Sequence, residues 1–306
     1  MNGVATREKV IVDTGAPPEV VRVDAVPRVD TRRAWFALGV AVVAVLGLYT
    51  PVIASMAAEW SEFPSLSHGF AIPFISAYLL WSRRHLLAGA PVQGSIVGLP
   101  LIVLAVGMLL VGSLGAEPFL ARFSLPIVLI GTVLFLMGTS VARHSRVAVA
   151  YLTLMIPLPY LTLTALTYRS RLFDAGVTAT VLGWLGVPVL REGVMLQLPN
   201  MRLVVADDCS SVPAMAALLA LGAAYAQLHA RPTWARTVLT LAAAPLGLLS
   251  NIVRIILTSL GAYYFGPVAL GNVIHKFGGT TVFLATVLLL IVFDSVLSRF
   301  YEKAES

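Results

Sequence analysis

From residue 34 onward, apolar stretches alternate with short polar clusters. Many of the stretches run for roughly 20 residues, the length a helix needs to cross a hydrocarbon core. They lack the period-2 alternation of strands. In lipid, every backbone polar group has to be satisfied within the segment, so these runs predict transmembrane helices. The expected spans cover about Ala34–Ala57, Gly69–Trp81, Gly94–Leu114, Phe119–Val141, Val147–Tyr168, Ser211–Leu228, Ala235–Leu260 and Phe277–Leu297. The second is short and carries Pro73. The fifth should bend at Pro157 and Pro159, because each proline removes a backbone donor.

Two stretches break the pattern. Leu172–Leu190 is apolar but holds Asp174, three glycines and Pro188, and it reads as an interfacial or re-entrant segment. Arg191–Asp208 mixes apolar and polar residues around Pro199-Asn200, as a short extended or hairpin segment does. The predicted fold class is all-α: a polytopic membrane protein of about eight transmembrane helices, with that extended or hairpin segment before the sixth span. Residues 1–33 are polar, contain Pro17, Pro18 and Pro27, and read as a flexible cytoplasmic tail rather than a signal peptide. Residues 34–298 form one membrane-embedded domain, and 299–306 a cytoplasmic C-terminal tail. No internal repeat is evident.

Composition agrees with this reading. Apolar residues make up 58% of the 306 and charged residues only 12%, about half the charged share of a soluble domain. The net charge of +6 sits beside apolar runs instead of in a stripe interleaved with aromatics. It therefore suggests topology signals and contacts with membrane lipid, not nucleic acid. Arg83 and Arg84, Arg143 and Arg146, Arg231 and Arg236, and Arg299 with Lys303 fall on one side of an eight-span layout. Glu59, Glu62 and Glu117 fall on the other. By the positive-inside rule both termini are cytoplasmic. Arg169, Arg171, Arg191, Arg202 and Lys276 run against the rule, as they would lie outside.

That layout brings three reactive side chains to one depth near the outer face: Cys209 before the sixth span, Arg254 in the outer third of the seventh, and His275 before the eighth. A thiolate is a nucleophile that a nearby cation favours. Histidine moves protons near neutral pH. Each residue also has a plain reading. Cys209, the single cysteine, is in most such settings a small packing residue. Arg254 can snorkel to the surface, and His275 can be a solvated loop residue. Cys209, however, stands in Asp207-Asp208-Cys209-Ser210-Ser211, directly before an apolar helix. Pro213 fits the first turn, so the helix starts at Ser210 or Ser211, with Cys209 at its positive end. Arg254 is embedded in Asn251-Ile252-Val253-Arg254-Ile255, where burial of a guanidinium costs about 2.5 kcal/mol or more and marks function. Asp208, Ser210, Asn251 and His68 are candidate supporting residues. With one cysteine, neither an internal disulfide nor a multi-thiolate zinc site is expected, and no metal or other cofactor is implied.

Four stretches carry a family resemblance: Ser67-His68-Gly69 with Pro73, Ser76, Trp81 and Arg83-Arg84; Cys209-Ser210 at the head of an apolar helix; Asn251-Ile252-Val253-Arg254-Ile255; and His275 followed by Gly279. Over residues 35–298 the chain resembles the exosortase/archaeosortase family of membrane-embedded cysteine transpeptidases. Members commonly have glycine after the Cys-Ser pair, where this chain has Ser211. The resemblance implies Cys209 as nucleophile, with Arg254 and His275 as its catalytic partners. It also implies substrates: exported proteins with a C-terminal tail made of a Pro-containing motif, a transmembrane helix and a basic cluster. These would be cut near the outer face of the cytoplasmic (inner) membrane and passed to an unknown acceptor. In bacteria such sorting accompanies exopolysaccharide production. Two other readings fit the composition. One is a transporter or flippase for a lipid-linked saccharide, with Arg254 and His275 binding an anionic headgroup. The other is a non-catalytic envelope scaffold. The absence of inverted repeats weighs against the transporter.

Overall fold

The computed structural model describes residues 8–12, 19–23, 30–115, 117–206, 209–229, 232–266 and 272–305. Side chains are described over 30–63, 65–115, 117–206, 209–229, 232–266 and 281–300. Ahead of the helices, β1 (Glu8–Val12) pairs antiparallel with β2 (Glu19–Val23). The membrane region then follows as α1 (Thr31–Leu48), α2 (Thr50–Glu62), a 3-10 turn (Pro64–Phe70), α3 (Ala71–Ser82), α4 (Arg84–Gly89), α5 (Gly98–Leu114), α6 (Pro118–Met137), α7 (Thr139–Tyr151) and α8 (Tyr160–Trp184). Strands β3 (Leu190–Glu192), β4 (Met195–Gln197) and β5 (Arg202–Val204) come next, and α9 (Ser211–Leu228), α10 (Thr233–Phe265) and α11 (Asn272–Glu305) complete the chain.

Long apolar side chains stay exposed on several of these helices. Val40, Val43 and Leu46 on α1, Val103, Leu104 and Leu110 on α5, and Leu284, Leu288 and Val292 on α11 are examples. In water, apolar surface on this scale would drive association, whereas against lipid tails it is matched. Five helical stretches are long and apolar enough to cross a membrane: Thr31–Leu48, Pro118–Met137, Ser211–Leu228, Thr233–Phe265 and Thr281–Phe300. Thr139–Met155 with Tyr160–Trp184 makes up to six. The chain is thus a mostly helical, multi-pass membrane protein. The sequence pattern suggested about eight spans. The difference lies in short elements: α3 has 12 residues and α5 has 17, below the roughly 20 that span a bilayer unaided.

The chain from 147 to 190 also folds differently from the expected span and interfacial segment. The break falls at 152–159, around Pro157 and Pro159, and α8 then runs unbroken past Arg169 and Arg171 to Trp184. The two arms meet at 76°. Both prolines lack the donor that would carry the helix through. Beyond them, Tyr160–Trp184 holds no residue that interrupts a helix.

Packing relies on small residues where helices approach closely. A Cβ at Gly98 would strike the backbone of Gly131 and Phe135, and one at Gly112 would strike Ala121, so α5 and α6 lie backbone to backbone. Gly247 of α10 meets Met215 of α9 in the same way. Such contacts drive helix association in lipid, where the hydrophobic effect between helices is lost. Polar pairs add cross-ties. Tyr49 Oη and Ser124 Oγ are 2.7 Å apart, Trp60 Nε1 donates to Met155 O at 3.1 Å, and Tyr151 Oη donates to Ala220 O at 2.9 Å. Arg122 makes a two-pronged ion pair with Glu59, joining α6 to α2.

Strands β3, β4 and β5 form one antiparallel sheet in that order. Gly193, at φ 63°, takes the left-handed conformation that the tight β3–β4 turn requires and that other residues resist. Leu196 is fully buried against Ala175 and Ile255. Asn200 Nδ2 donates to Ala262 O at 2.9 Å and Tyr263 O at 3.1 Å, satisfying carbonyls near the end of α10. The sheet therefore bridges α8 and α10 and delivers the chain to Cys209.

Candidate active site

The residue before the cap of α9 is Cys209, with its N–H donated to Ala206 O at 3.0 Å. The thiol is half-buried beside Ala175, Leu196, Val205 and Ile255. Helix α9 starts at Ser211, with Pro213 in its first turn, and Ser210 is the cap residue but makes no capping bond through its side chain.

The cap comes from another helix. Asp174 of α8, fully buried, accepts from Ser211 N at 3.0 Å and from Ser211 Oγ at 2.6 Å. It also accepts from Asn251 Nδ2 at 3.1 Å and from Ser170 Oγ at 3.4 Å. A buried carboxylate is stable only when its lone pairs are met. Here they are met by a helix N-terminus, which also supplies the positive end of a dipole. Asn251, on α10, divides its amide between Asp174 and Cys209 O, the latter at 2.7 Å. One carboxylate and one amide thus fix the start of α9 against α8 and α10.

One turn further along α10, Arg254 lies on the same face as Asn251, as i and i+3 do. Its Nη2 is 3.1 Å from Cys209 Sγ, within donor distance of the sulfur. Thr258 Oγ1 bonds to Arg254 O at 2.8 Å. A guanidinium that only snorkelled would point to water. This one turns inward to the thiol.

The other residues singled out from sequence are placed as follows. Ser210 is 1% exposed and its Oγ is buried without a hydrogen-bond partner. His68 lies half-buried in the 3-10 turn Pro64–Phe70, with neighbouring Gly69 pressed against Trp60. Among the described residues, no hydrogen bond links His68 to Cys209 or Arg254. His275 belongs to α11 by its backbone, and its side chain lies outside the described residues, as does Asp208 altogether. Among the described residues, no three His, Cys, Asp or Glu cluster as metal ligands.

Sequence reasoning used Asp174 only as a charge that spoils an apolar run; it missed Ser170, and it took Ser211 as a helix start without its bonds to Asp174. The available signal was a lone carboxylate in an otherwise apolar stretch. Such a group has to find donors, and its cost marks function.

Comparisons with known proteins bear on the whole arrangement. A model of the transmembrane exosortase family matches residues 60–292, the larger part of the chain. No curated protein and no solved structure matches it. The matched stretch runs from Trp60 through Cys209, Asn251 and Arg254 into α11, and on this ground the chain belongs to the transmembrane exosortase family, the cysteine transpeptidases of membrane protein sorting.

Proposed function

We propose that this protein is a cysteine transpeptidase that cleaves the C-terminal sorting tails of exported proteins at the outer face of the cytoplasmic membrane and transfers them to an acceptor. The observation that carries this reading is the 3.1 Å approach of Arg254 Nη2 to Cys209 Sγ. A cation held against sulfur favours the thiolate, the form that attacks.

In this reading Cys209 Sγ adds to the carbonyl carbon of the scissile peptide. The C–N bond breaks, a thioester forms, and the amine leaves with a proton. His275 gives that proton, then takes one from the incoming acceptor as the thioester is opened. Arg254 stabilises first the thiolate and then the oxyanion; fixed charge counts most where water is excluded. An acceptor amine gives transfer, and water gives hydrolysis. Asp174 and Asn251 hold the start of α9 so that the thiol meets the guanidinium. The substrates are exported proteins whose tail has a Pro-containing motif, a transmembrane helix and a basic end. In this reading α3 and α5 also cross, supported by their neighbours, which makes eight spans, both termini are cytoplasmic, and Cys209 faces the outer side.

The test is co-expression with a tailed protein from the same genome, following its intact mass. Loss of the tail with the wild-type chain and retention with Cys209→Ala supports the reading. Equal processing by both ends it.

A further inference from the structure

At the end of α9 remote from Cys209, four arginines converge. Arg83 follows α3, Arg143 and Arg146 lie on α7, and Arg236 lies on the first turn of α10. With Gln227 and Thr233 they line a cavity of about 360 Å³. Helix α9 has 18 residues, or about 27 Å at 1.5 Å each, so the cavity and the thiol are separated by roughly a bilayer core.

Arginines at helix ends usually serve as topology signals, splayed into water. These line one cavity instead, with Arg83 and Arg236 half-buried and Arg143 and Arg146 more exposed. Arg83 Nη2 donates to Gln227 Oε1 at 3.1 Å, and its Nη1 to His144 O at 3.4 Å. Burial, and then the charges of Arg236 and Arg146, push the Arg83 guanidinium below its ordinary pKa. Arg236 Nε is buried without a hydrogen-bond partner. Among the described residues, no carboxylate pairs with any of the four. Cations crowded without a counter-charge are stabilised by an anion. Planar guanidinium forks match the oxygens of phosphate, bidentately and at short range.

We propose that this cavity binds a phosphate group, presented by the headgroup of an anionic membrane lipid. Basic pockets between helices at a membrane face are suited to such headgroups, and the cavity volume fits a headgroup rather than a bare ion. The same chemistry would take free phosphate, so the experiment separates the two sources.

The full chain is placed in nanodiscs of phosphatidylcholine with a minor share of phosphatidylglycerol, then released and weighed by native mass spectrometry. The wild type should retain phosphatidylglycerol over phosphatidylcholine, and R146Q/R236Q should retain at least tenfold less. R143Q/R146Q changes only exposed side chains with no described hydrogen bond, so it should fold normally and lose lipid as well. R84Q changes an arginine that stacks on Trp81 outside the cavity and should keep wild-type retention. In a second arm, inorganic phosphate is added to lipid-free protein in detergent. If phosphate raises the unfolding temperature of the wild type but not of R143Q/R146Q, and no lipid preference exists, the site stands with free phosphate as its source. The proposal is overturned if neither probe binds, if both cavity variants behave as wild type, or if R84Q loses lipid as they do.

Discussion

Asp174 and Ser211 are joined twice, through the backbone N–H and the hydroxyl of the serine, at 3.0 and 2.6 Å. The pair links the middle of α8 to the first residue of α9. It explains how a cysteine outside the helix is held in one place. The helix start is clamped from the side, and Cys209, two residues earlier, has its carbonyl held by Asn251. Ser211 also stands where the sequence resemblance leads one to expect glycine after Cys-Ser. Here that position has a hydroxyl, and a buried carboxylate receives it.

Removing the thiol should abolish processing without removing the protein. Cys209 is half-buried and its loss leaves the Asp174 cluster intact, so Cys209→Ala should accumulate in the membrane at normal levels. Blotting of membranes alongside intact mass of a co-expressed tailed protein checks both halves.

The approach of Arg254 to Cys209 predicts that Arg254→Lys is severely impaired although charge is kept. Lysine has a point charge on a flexible stem in place of a planar fork. Losing an oxyanion donor typically lowers the rate about 100- to 1000-fold. Processing rate in proteoliposomes at matched expression is the measurement. A lysine variant within about threefold of wild type, less than about 0.7 kcal/mol of barrier, would show that the planar fork of Arg254 is not needed for the reaction.

The clamp makes Asp174→Asn informative because size is preserved. The new amide would turn an N–H₂ toward donors it cannot satisfy. An unsatisfied buried group costs about 1–3 kcal/mol, so unfolding temperature in detergent should fall. If Asp174 also positions the thiol, alkylation of Cys209 by iodoacetamide at a temperature where the variant is fully folded should change in rate. An unchanged rate would reduce Asp174 to a purely structural role.

Close packing of α5 on α6 gives a paired prediction. Gly98→Ala should reduce stability clearly, because its Cβ would meet backbone atoms of Gly131 and Phe135 that cannot rotate away. Gly107→Ala, on the same helix with open space around it, should be neutral or slightly stabilising, by up to about 1 kcal/mol of helix propensity. Comparing thermal unfolding of the two in one detergent decides the matter.

Orientation can be read because the chain has one cysteine. In Cys209→Ala, a new thiol at exposed Glu192 on β3 should react with an impermeant maleimide in intact cells once the outer envelope is opened. A thiol at exposed Arg143 on α7 should react only after the membrane is disrupted. The reverse pattern would invert the proposed topology.

Helical runs, the start of α9 at Ser211 and the presence of Cys209 before it were legible in the sequence, because each is local. Apolar stretches of bilayer length leave the backbone no choice but a helix, and Pro213 with the polar residues before it marks the first turn. The number of spans was less legible: α3 and α5 are short enough that neighbours, rather than length, support them. Tertiary structure alone decided the partners. Asp174 reaches Ser211 across 37 positions and Asn251 across 77, and no periodicity carries such distances. A carboxylate in an apolar run declares that it needs donors, not which ones. Likewise, Arg83, Arg143, Arg146 and Arg236 read in one dimension as separate topology charges. Only the packing of α3, α7, α9 and α10 turns them into the walls of one cavity, because repulsion between like charges is tolerated where the surrounding helices hold them and an anion can be shared.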